Sequence, residues 1–377
     1  MLEQFLQNQW GLTFVIICVV GWIVQVIYLL GYFRLSVSPK DTQPKKKTQP
    51  VSVVICARNE EKNLMHNLPV IMDQRHPDFE VIVVNDSSWD DTGSILKAYS
   101  LRYSNLKVVS LDEEKQNMQG KKFALTLGIK AARHDVVLLT DADCVPASPD
   151  WITEMTSGLH DQKQIALGFS PYHEHPGWIN RIIRFDTLMI AIQYLGFAKA
   201  GKPYMGVGRN LAYNKEIFFK VGGFKNHYSI ASGDDDLFIN QVASGRNTVT
   251  VTIPSSHTVS EPKRTWKEWF TQKRRHFTTS PLYKPEHKRM LAFWPFTFFL
   301  MLAGFAGALV FQTGVLLVSA LVFLRYVVQI AILHMISKRL AQRTDIVWLA
   351  LPLEIHLHFL NLGLYITNLM RKPQKWN

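Results

Sequence analysis

In the stretch VVLLTDADC, residues 136–144, four apolar residues run into Thr140 and the aspartates Asp141 and Asp143. The apolar run reads as a strand buried on both faces. In extended backbone, residues two apart point the same way, so the two carboxylates are neighbours at the strand's carboxyl end. Open α/β sheets bind ligands at that end. Paired carboxylates suit Mg²⁺ or Mn²⁺, which keep part of their shell for water and phosphate oxygens; the plainer alternative is a strand followed by an Asp-rich turn. A second acidic group, Asp234, Asp235 and Asp236, follows Gly233, which permits a tight turn into a helix beginning near Leu237. Three adjacent carboxylates repel one another, raising at least one proton affinity toward that of a general base. Aspartates at a helix start are also common caps.

The elements that must position these groups are readable from apolar patterning. Val51 to Cys56, Phe79 to Val84, Leu106 to Ser110 and Val136 to Leu139 read as strands. Glu60 to Leu68, Thr92 to Tyr99 and Phe123 to Ala132 read as the helices between them. This alternation predicts an α/β fold with a parallel, doubly wound sheet. No GxGxxG follows the first strand, which argues against a nicotinamide enzyme. Trp178 to Lys199 forms a further, largely apolar helix broken by Arg181, Arg184 and Asp186. Cys18, Cys56 and Cys144 lie far apart, so neither a disulfide framework nor a zinc site follows from them.

The ends of the chain are membrane-like. Gly11 to Phe33 carries no charge over 23 residues, enough helix to cross a hydrocarbon core of about 30 Å. The start, Met-Leu-Glu-Gln, lacks the basic region of a signal peptide, and Tyr32, Phe33 and Arg34 replace a small-residue cleavage site, so a retained span is expected. Arg34, Lys40, Lys45, Lys46 and Lys47 then place the following domain in the cytoplasm, with the amino terminus outside. Leu291 to Phe311 and Val315 to Ile336 form two more runs separated by Gln312, Thr313 and Gly314, a tight hairpin. Arg325 sits near mid-span, to snorkel or to pair with a polar group such as Glu354. Ile346 to Met370 contains Pro352, Glu354, His356, His358 and Asn361, and either crosses once, making four spans, or lies at the interface before the terminal Arg371, Lys372 and Lys375.

The formal charge of +12 would suit nucleic acid, but membrane-length segments make anionic lipid and phosphorylated substrate the better partners. From Glu261 to Arg289, nine Lys or Arg face three Glu, with Trp266, Trp269, Phe270 and Phe277 interleaved. Next to a membrane hairpin this reads as an amphipathic segment at the headgroups. The expected organisation is therefore a transmembrane helix at 1–35, a basic linker at 36–49, a catalytic domain at 50–260, an interface segment at 261–290 and a transmembrane region at 291–377.

Seven motifs occur in order: VSVVICARNE, VNDSSWDDT, GKKFAL, TDADC, GVGRNLAY, SGDDDLF and QKRRH. Together they resemble the membrane-bound family 2 glycosyltransferases of GT-A type, the group containing cellulose, chitin, hyaluronan and ceramide-sugar transferases, over residues 50–280 and the flanking spans. The resemblance implies a Rossmann-like, mixed and mainly parallel sheet with flanking transmembrane helices. It implies a nucleotide-diphosphate sugar donor, expected to be UDP-linked, and a divalent Mn²⁺ or Mg²⁺ ion. Glu60 and Asp86 would hold the base and its surroundings, with backbone contacts from Ala57. Lys121 would lie close to the nucleotide, while Lys122 is expected to be solvated. Asp141 would touch the ribose or donor sugar beside the metal, and Asp143 would be the metal's principal ligand.

The same resemblance makes Gly206-Val-Gly-Arg-Asn210 the loop lining the donor sugar, with Arg209 binding phosphate or tying the loop to an acidic neighbour. The family shows Glu-Asp before a leucine, with the aspartate as base. Set against Leu237, that aspartate is Asp234 and the glutamate has become Gly233, so Asp235 is the fallback. A single base implies inversion at the anomeric carbon. Gln272 and Arg275 match the family's QxxRW, Arg275 over the diphosphate and Gln272 orienting the acceptor or gating segment, but His276 stands where the family has Trp. That departure argues against a long extruded polysaccharide. The expected acceptor is a lipid or lipid-linked hydroxyl at the cytoplasmic face of a bacterial inner membrane. The alternatives are a processive polysaccharide synthase of the same fold, and a membrane-anchored nucleic-acid-binding or scaffold protein. The sugar, the number of additions and the oligomeric state stay open at this level.

Overall fold

In the computed structural model, residues 2–37, 48–111, 120–230 and 232–370 are described. Lys40, Lys45, Lys46 and Lys47, on which the orientation rests, lie outside them, as do Arg371, Lys372 and Lys375. Helix α1 (Leu2–Val37) comes first. Strands and helices then alternate: β1 (Val51–Ala57), α2 (Glu61–Met72), β2 (Phe79–Asp86), α3 (Thr92–Arg102), β3 (Leu106–Leu111), α4 (Lys121–Ala131) and β4 (Val136–Asp141). Shorter elements follow: β5 (Cys144–Pro146), α5 (Trp151–Thr156), β6 (Ile165–Leu167), the long α6 (Trp178–Lys199), β7 (Leu211–Asn214) and α7 (Lys215–Lys220). The domain closes with α8 (Asp236–Val242), β8 (Thr248–Thr250), β9 (Thr258–Ser260) and α9 (Trp266–His276). Last come α10 (Pro285–Val310), α11 (Val315–Arg339), α12 (Asp345–Trp348) and α13 (Ala350–Met370).

The main sheet has the order β3-β2-β1-β4-β7-β6-β8. Strands β1 to β4 pair in parallel, and β7 runs antiparallel to both β4 and β6. The mixed, mainly parallel sheet is therefore the one expected. Val53, Ile55, Val81, Val83 and Leu138 are fully buried, as are their neighbours on the opposite face, Val54, Ile82 and Val137. Burial of both faces is the reason these strands read as continuous apolar runs rather than alternating ones. Register sets Ala57 beside Asn85 and Cys56 beside Asp141, so the carboxyl ends of β1, β2 and β4 open on one edge.

One helix is longer than expected. Leu68 is the expected end of α2, yet the helix continues to Met72 with Pro69 inside it. Proline cannot donate to the carbonyl four residues back. That carbonyl, on Met65, instead accepts the Tyr99 hydroxyl at 3.1 Å, which removes the cost.

The chain divides into two compact units, one made of α1 with the stretch from Lys284 to Asn361, the other of the sheet domain through Tyr283 with the last helix from Leu362. In the first unit, three described helices are long and apolar enough to cross a membrane: Gln9–Leu35, Pro285–Val310 and Val315–Arg339. The fourth span is not among them, because the polar residues Glu354, His356, His358 and Asn361 lower the hydropathy of α13. Gln312, Thr313 and Gly314 do form the tight hairpin, with Gly314 left-handed at φ +62°. Arg325 pairs with Glu354 as anticipated, donating to both carboxylate oxygens at 2.6 and 2.8 Å, and it also donates to Gln25 at 2.7 Å and Gln329 at 2.8 Å. Gln25 in turn donates to the Trp294 carbonyl at 2.8 Å, so one buried network joins α1, α10, α11 and α13. A charge this deeply buried is tolerable only when paired and hydrogen-bonded in this way.

Two buried histidines make the sheet domain acid-sensitive. His257 packs edge-on against Phe169 at 5.1 Å, and burial pushes its imidazole down to about 4. Burial and the Lys122 ammonium push His227 down to about 4 as well. Free imidazole titrates near 6.5, so below that pH the unfolded chain binds protons the native domain refuses. Stability is complete above about pH 6.5 and falls progressively toward pH 4. Thermal melts across that window should show this decline, shallower in His257→Phe; an identical slope in the variant contradicts it.

Candidate active site

Lys121, the first residue of α4, lies at the centre of the site. Its ammonium donates to Asp141 Oδ1 at 2.8 Å and stands 3.2 Å from Asp234 Oδ2. It thereby joins the end of β4 to the approach to α8. Burial works against the lysine's charge, but Asp141 and Asp234 outweigh it and hold the amine well above its ordinary value. Burial likewise opposes ionisation of Asp234, and Lys121 overcomes it, keeping that carboxyl below the usual range.

The three adjacent aspartates have separate partners. Gly233, at φ +98°, makes the turn that precedes them; a Cβ there would lie 2.5 Å from the Leu237 side chain. Asp234 faces Lys121. Asp235 caps α8, accepting the Asp236 N–H at 2.7 Å and the Gly208 N–H at 2.8 Å. Burial, with Asp234 and Asp236 on either side, pushes Asp235 up to about 7. Asp236 turns away and accepts the hydroxyls of Tyr283, at 2.6 Å, and Thr279. The cap and the base candidate are thus neighbours rather than rival readings of one residue.

Asp143 lies beyond Asp141, with the Cys144 thiol donating to it at 3.4 Å. Burial and then repulsion from Asp141 push Asp143 up, while Arg209 acts the other way. No group of three or more His, Cys, Asp or Glu is placed to hold a metal among the described residues. The protein's own donors are therefore two hard carboxylates that repel each other. That set fits a divalent cation, which would relieve the repulsion and keep its remaining positions for phosphate oxygens and water. Arg209 is held by Ser260 Oγ at 2.7 Å and lies over the Tyr172 ring at 4.3 Å.

Ala57 and Asp86 are buried at the ends of β1 and β2. Glu60 accepts from Asn63 at 2.6 Å, and burial pushes its carboxyl up. The loops after β1 and β2 are laced together: Asn59 N–H donates to Ser88 Oγ and Trp89 N–H to Asn59 Oδ1, both at 3.0 Å. Asn59 and Ser87 adopt left-handed backbone at φ 57° and 55°, strain of the kind retained at functional sites. A cavity of about 690 Å³ opens beside them, its lining including Glu60 and Trp89.

Helix α9 begins with a capping box between Thr265 and Glu268 and carries Gln272 and Arg275, both partly buried. His276 follows, open to solvent along one side. Partial burial and the cations Arg275 and Lys273 push its imidazole down. Three residues on, the Thr279 hydroxyl donates to Asp236, which puts this end of α9 beside the aspartate triplet.

One expectation fails. Lys122 is not solvated but buried, donating to the carbonyls of His227 at 2.6 Å and Ile230 at 2.9 Å. At a helix start, neighbouring residues point about 100° apart, so Lys121 meets the carboxylates while Lys122 holds the adjacent loop. Its amine is pushed down by burial to about 8. Motif reading also missed Asp186, Lys273, Thr279 and Tyr283, whose partners are far away in the chain.

The mixed, mainly parallel seven-stranded sheet flanked by helices is of the GT-A type. The family model described as glycosyl transferase family 2 matches residues 52–222, so the chain contains a family 2 glycosyltransferase domain. The chain is 29% identical over 244 residues to the probable glycosyltransferase YdaM of Bacillus subtilis, covering 63% of this chain and 56% of that one. It is 31% identical over 185 residues to the human dolichyl-phosphate beta-glucosyltransferase, covering 44% and 55%. It thus spans just over half the length of these curated relatives. The mannosyltransferase PcManGT of Pyrobaculum calidifontis, solved with GDP-Man and Mn²⁺, shares the fold at a TM-score of 0.59 and 18% identity, over 88% of this chain and 99% of that one.

The role of Lys122 is open to direct measurement. Lys122→Met leaves one buried and one part-buried carbonyl without their donor, at a cost of about 1–3 kcal/mol in global stability. Amide hydrogen exchange should rise selectively between Phe224 and Ile230; unchanged exchange there would remove the anchor.

Proposed function

We propose that this protein is an inverting glycosyltransferase that moves a sugar from a nucleotide-diphosphate donor, UDP-linked, to a hydroxyl of a lipid or lipid-linked acceptor. Transfer takes place at the cytoplasmic face of a bacterial inner membrane, one or a few sugars at a time. The observation that carries this reading is Lys121 between Asp141 and Asp234, which assembles donor-side and acceptor-side carboxylates around one amine. Three membrane-length helices and the likeness to an enzyme named for dolichyl phosphate support a lipid acceptor. The likeness in fold to a mannosyltransferase that holds GDP-Man and Mn²⁺ supports a donor of this class.

Asp234 takes the proton of the acceptor hydroxyl, whose oxygen attacks the anomeric carbon from the face opposite the diphosphate. The bond from that carbon to the diphosphate oxygen breaks, and the nucleoside diphosphate leaves with the electron pair. Ala57, Glu60 and Asp86 hold the nucleoside end. Lys121, Arg209 and Arg275 neutralise charge growing on the diphosphate, and Gln272 orients the acceptor. Asp143, with Asp141, would hold Mn²⁺ or Mg²⁺, whose charge supplies further stabilisation of the leaving group. Asp235 supports the base through its cap and its charge.

Purified protein in lipid nanodiscs, given Mn²⁺ or Mg²⁺, a panel of UDP- and GDP-sugars and lipid extract, should yield a lipid one sugar heavier by mass spectrometry. Asp143→Ala should abolish the product, and Asp234→Asn should slow it by about 10²–10⁴-fold. The low proton affinity of Asp234 predicts an acidic limb of the rate profile well below pH 7. A rate that climbs through about pH 7, where Asp235 titrates, would transfer the base role to Asp235. A ladder of many sugar masses would establish a polysaccharide synthase instead, and no transfer from any donor would overturn the reading.

A further inference from the structure

We propose that residues 266–283, which carry Gln272, Arg275 and His276, are held at the cleft by two buried clamps. Lys273 and Asp236 are then positioning residues for the transfer reaction, an inference that rests on the function proposed above.

The first clamp is a salt bridge. Helix α9 is mostly polar and buries only Trp269 and, one turn later, Lys273. Lys273 Nζ donates to both oxygens of Asp186, at 2.9 and 2.8 Å, with each side chain 9% exposed. Asp186 lies on α6 among Ile182, Ile183, Phe185 and Met189, all buried. Such a pair contributes little net stability compared with apolar residues, but losing one partner strands a buried charge. It therefore selects one seating of α9, and Lys273 adjoins Gln272 and stands two residues before Arg275.

The second clamp lies beyond the motif. Asp236 Oδ2 accepts the hydroxyls of both Thr279 and Tyr283, all three residues being buried. Two hydroxyls converging on one buried carboxyl oxygen fix the direction of approach of both side chains. The Tyr283 ring packs on Tyr204 at 6.0 Å, and the Tyr204 carbonyl accepts Asn240 Nδ2 at 2.8 Å, one turn further along α8. The helix that follows the proposed base thus grips the chain just after His276. With Lys273 held on one side of Arg275 and Thr279 on the other, the acceptor-side groups inherit their placement from α6 and α8. This assigns the third aspartate of the triplet a task that neither capping nor proton transfer requires.

The test pairs hydrogen exchange with kinetics. Tyr283→Phe removes one hydroxyl and leaves the ring in place. It should raise amide exchange across 274–283 and lower kcat on the order of 10- to 100-fold, with the donor KM within about twofold. Asp186→Lys should do the same across 266–276, and adding Lys273→Asp should restore both exchange and rate. Unchanged exchange in Tyr283→Phe overturns the clamp, and raised exchange with unchanged kcat overturns the positioning role. If the wild type transfers no sugar, the proposed function fails by itself, and the exchange data still decide the clamps.

Discussion

The site depends on one partly buried ammonium between two carboxylates. Lys121 is 2.8 Å from Asp141 and 3.2 Å from Asp234, groups delivered by parts of the chain far apart in sequence. Two carboxylates converging on one point repel unless a cation stands between them. The lysine attracts both carboxylates and so draws the end of β4 and the turn before α8 to one point.

The sheet makes that meeting possible. Three parallel strands buried on both faces, β1, β2 and β4, bring Ala57, Asp86 and Asp141 to one edge. The antiparallel β7 beside β4 follows directly on Gly208, whose N–H holds Asp235. The three aspartates then divide the work. Asp234 meets the lysine, Asp235 caps the helix, and Asp236 reaches the hydroxyls of Thr279 and Tyr283. Each member has its own donors, yet Asp235, buried between the other two, is still pushed up to about 7.

Much of this is readable in the chain because it obeys short-range rules. The two-residue period of a strand places Asp141 and Asp143 together, and Gly233 marks a backbone conformation that side chains avoid. The Arg325–Glu354 pair is readable for a different reason: a charge within an apolar span has to find a partner, and few are available. The residues that reading missed are those whose partners lie in distant segments. Lys122 resembles any surface lysine until the fold puts the His227 and Ile230 carbonyls around it. Leu68 reads as the end of α2, but the helix runs on through Pro69 because Tyr99 satisfies the Met65 carbonyl that the proline cannot reach. Asp186 and Tyr283 belong to no motif, and only tertiary packing reveals them.

The most direct measurement of the central interaction is the pH–rate profile of sugar transfer by wild type and Lys121→Met under identical lipid and metal conditions. Removing the ammonium should move the acidic limb upward by about 1–3 pH units, as a carboxylate losing a neighbouring cation requires, and depress the plateau. An acidic limb and plateau unchanged from wild type would show that Lys121 does not control the proton affinity of Asp234, contradicting the account.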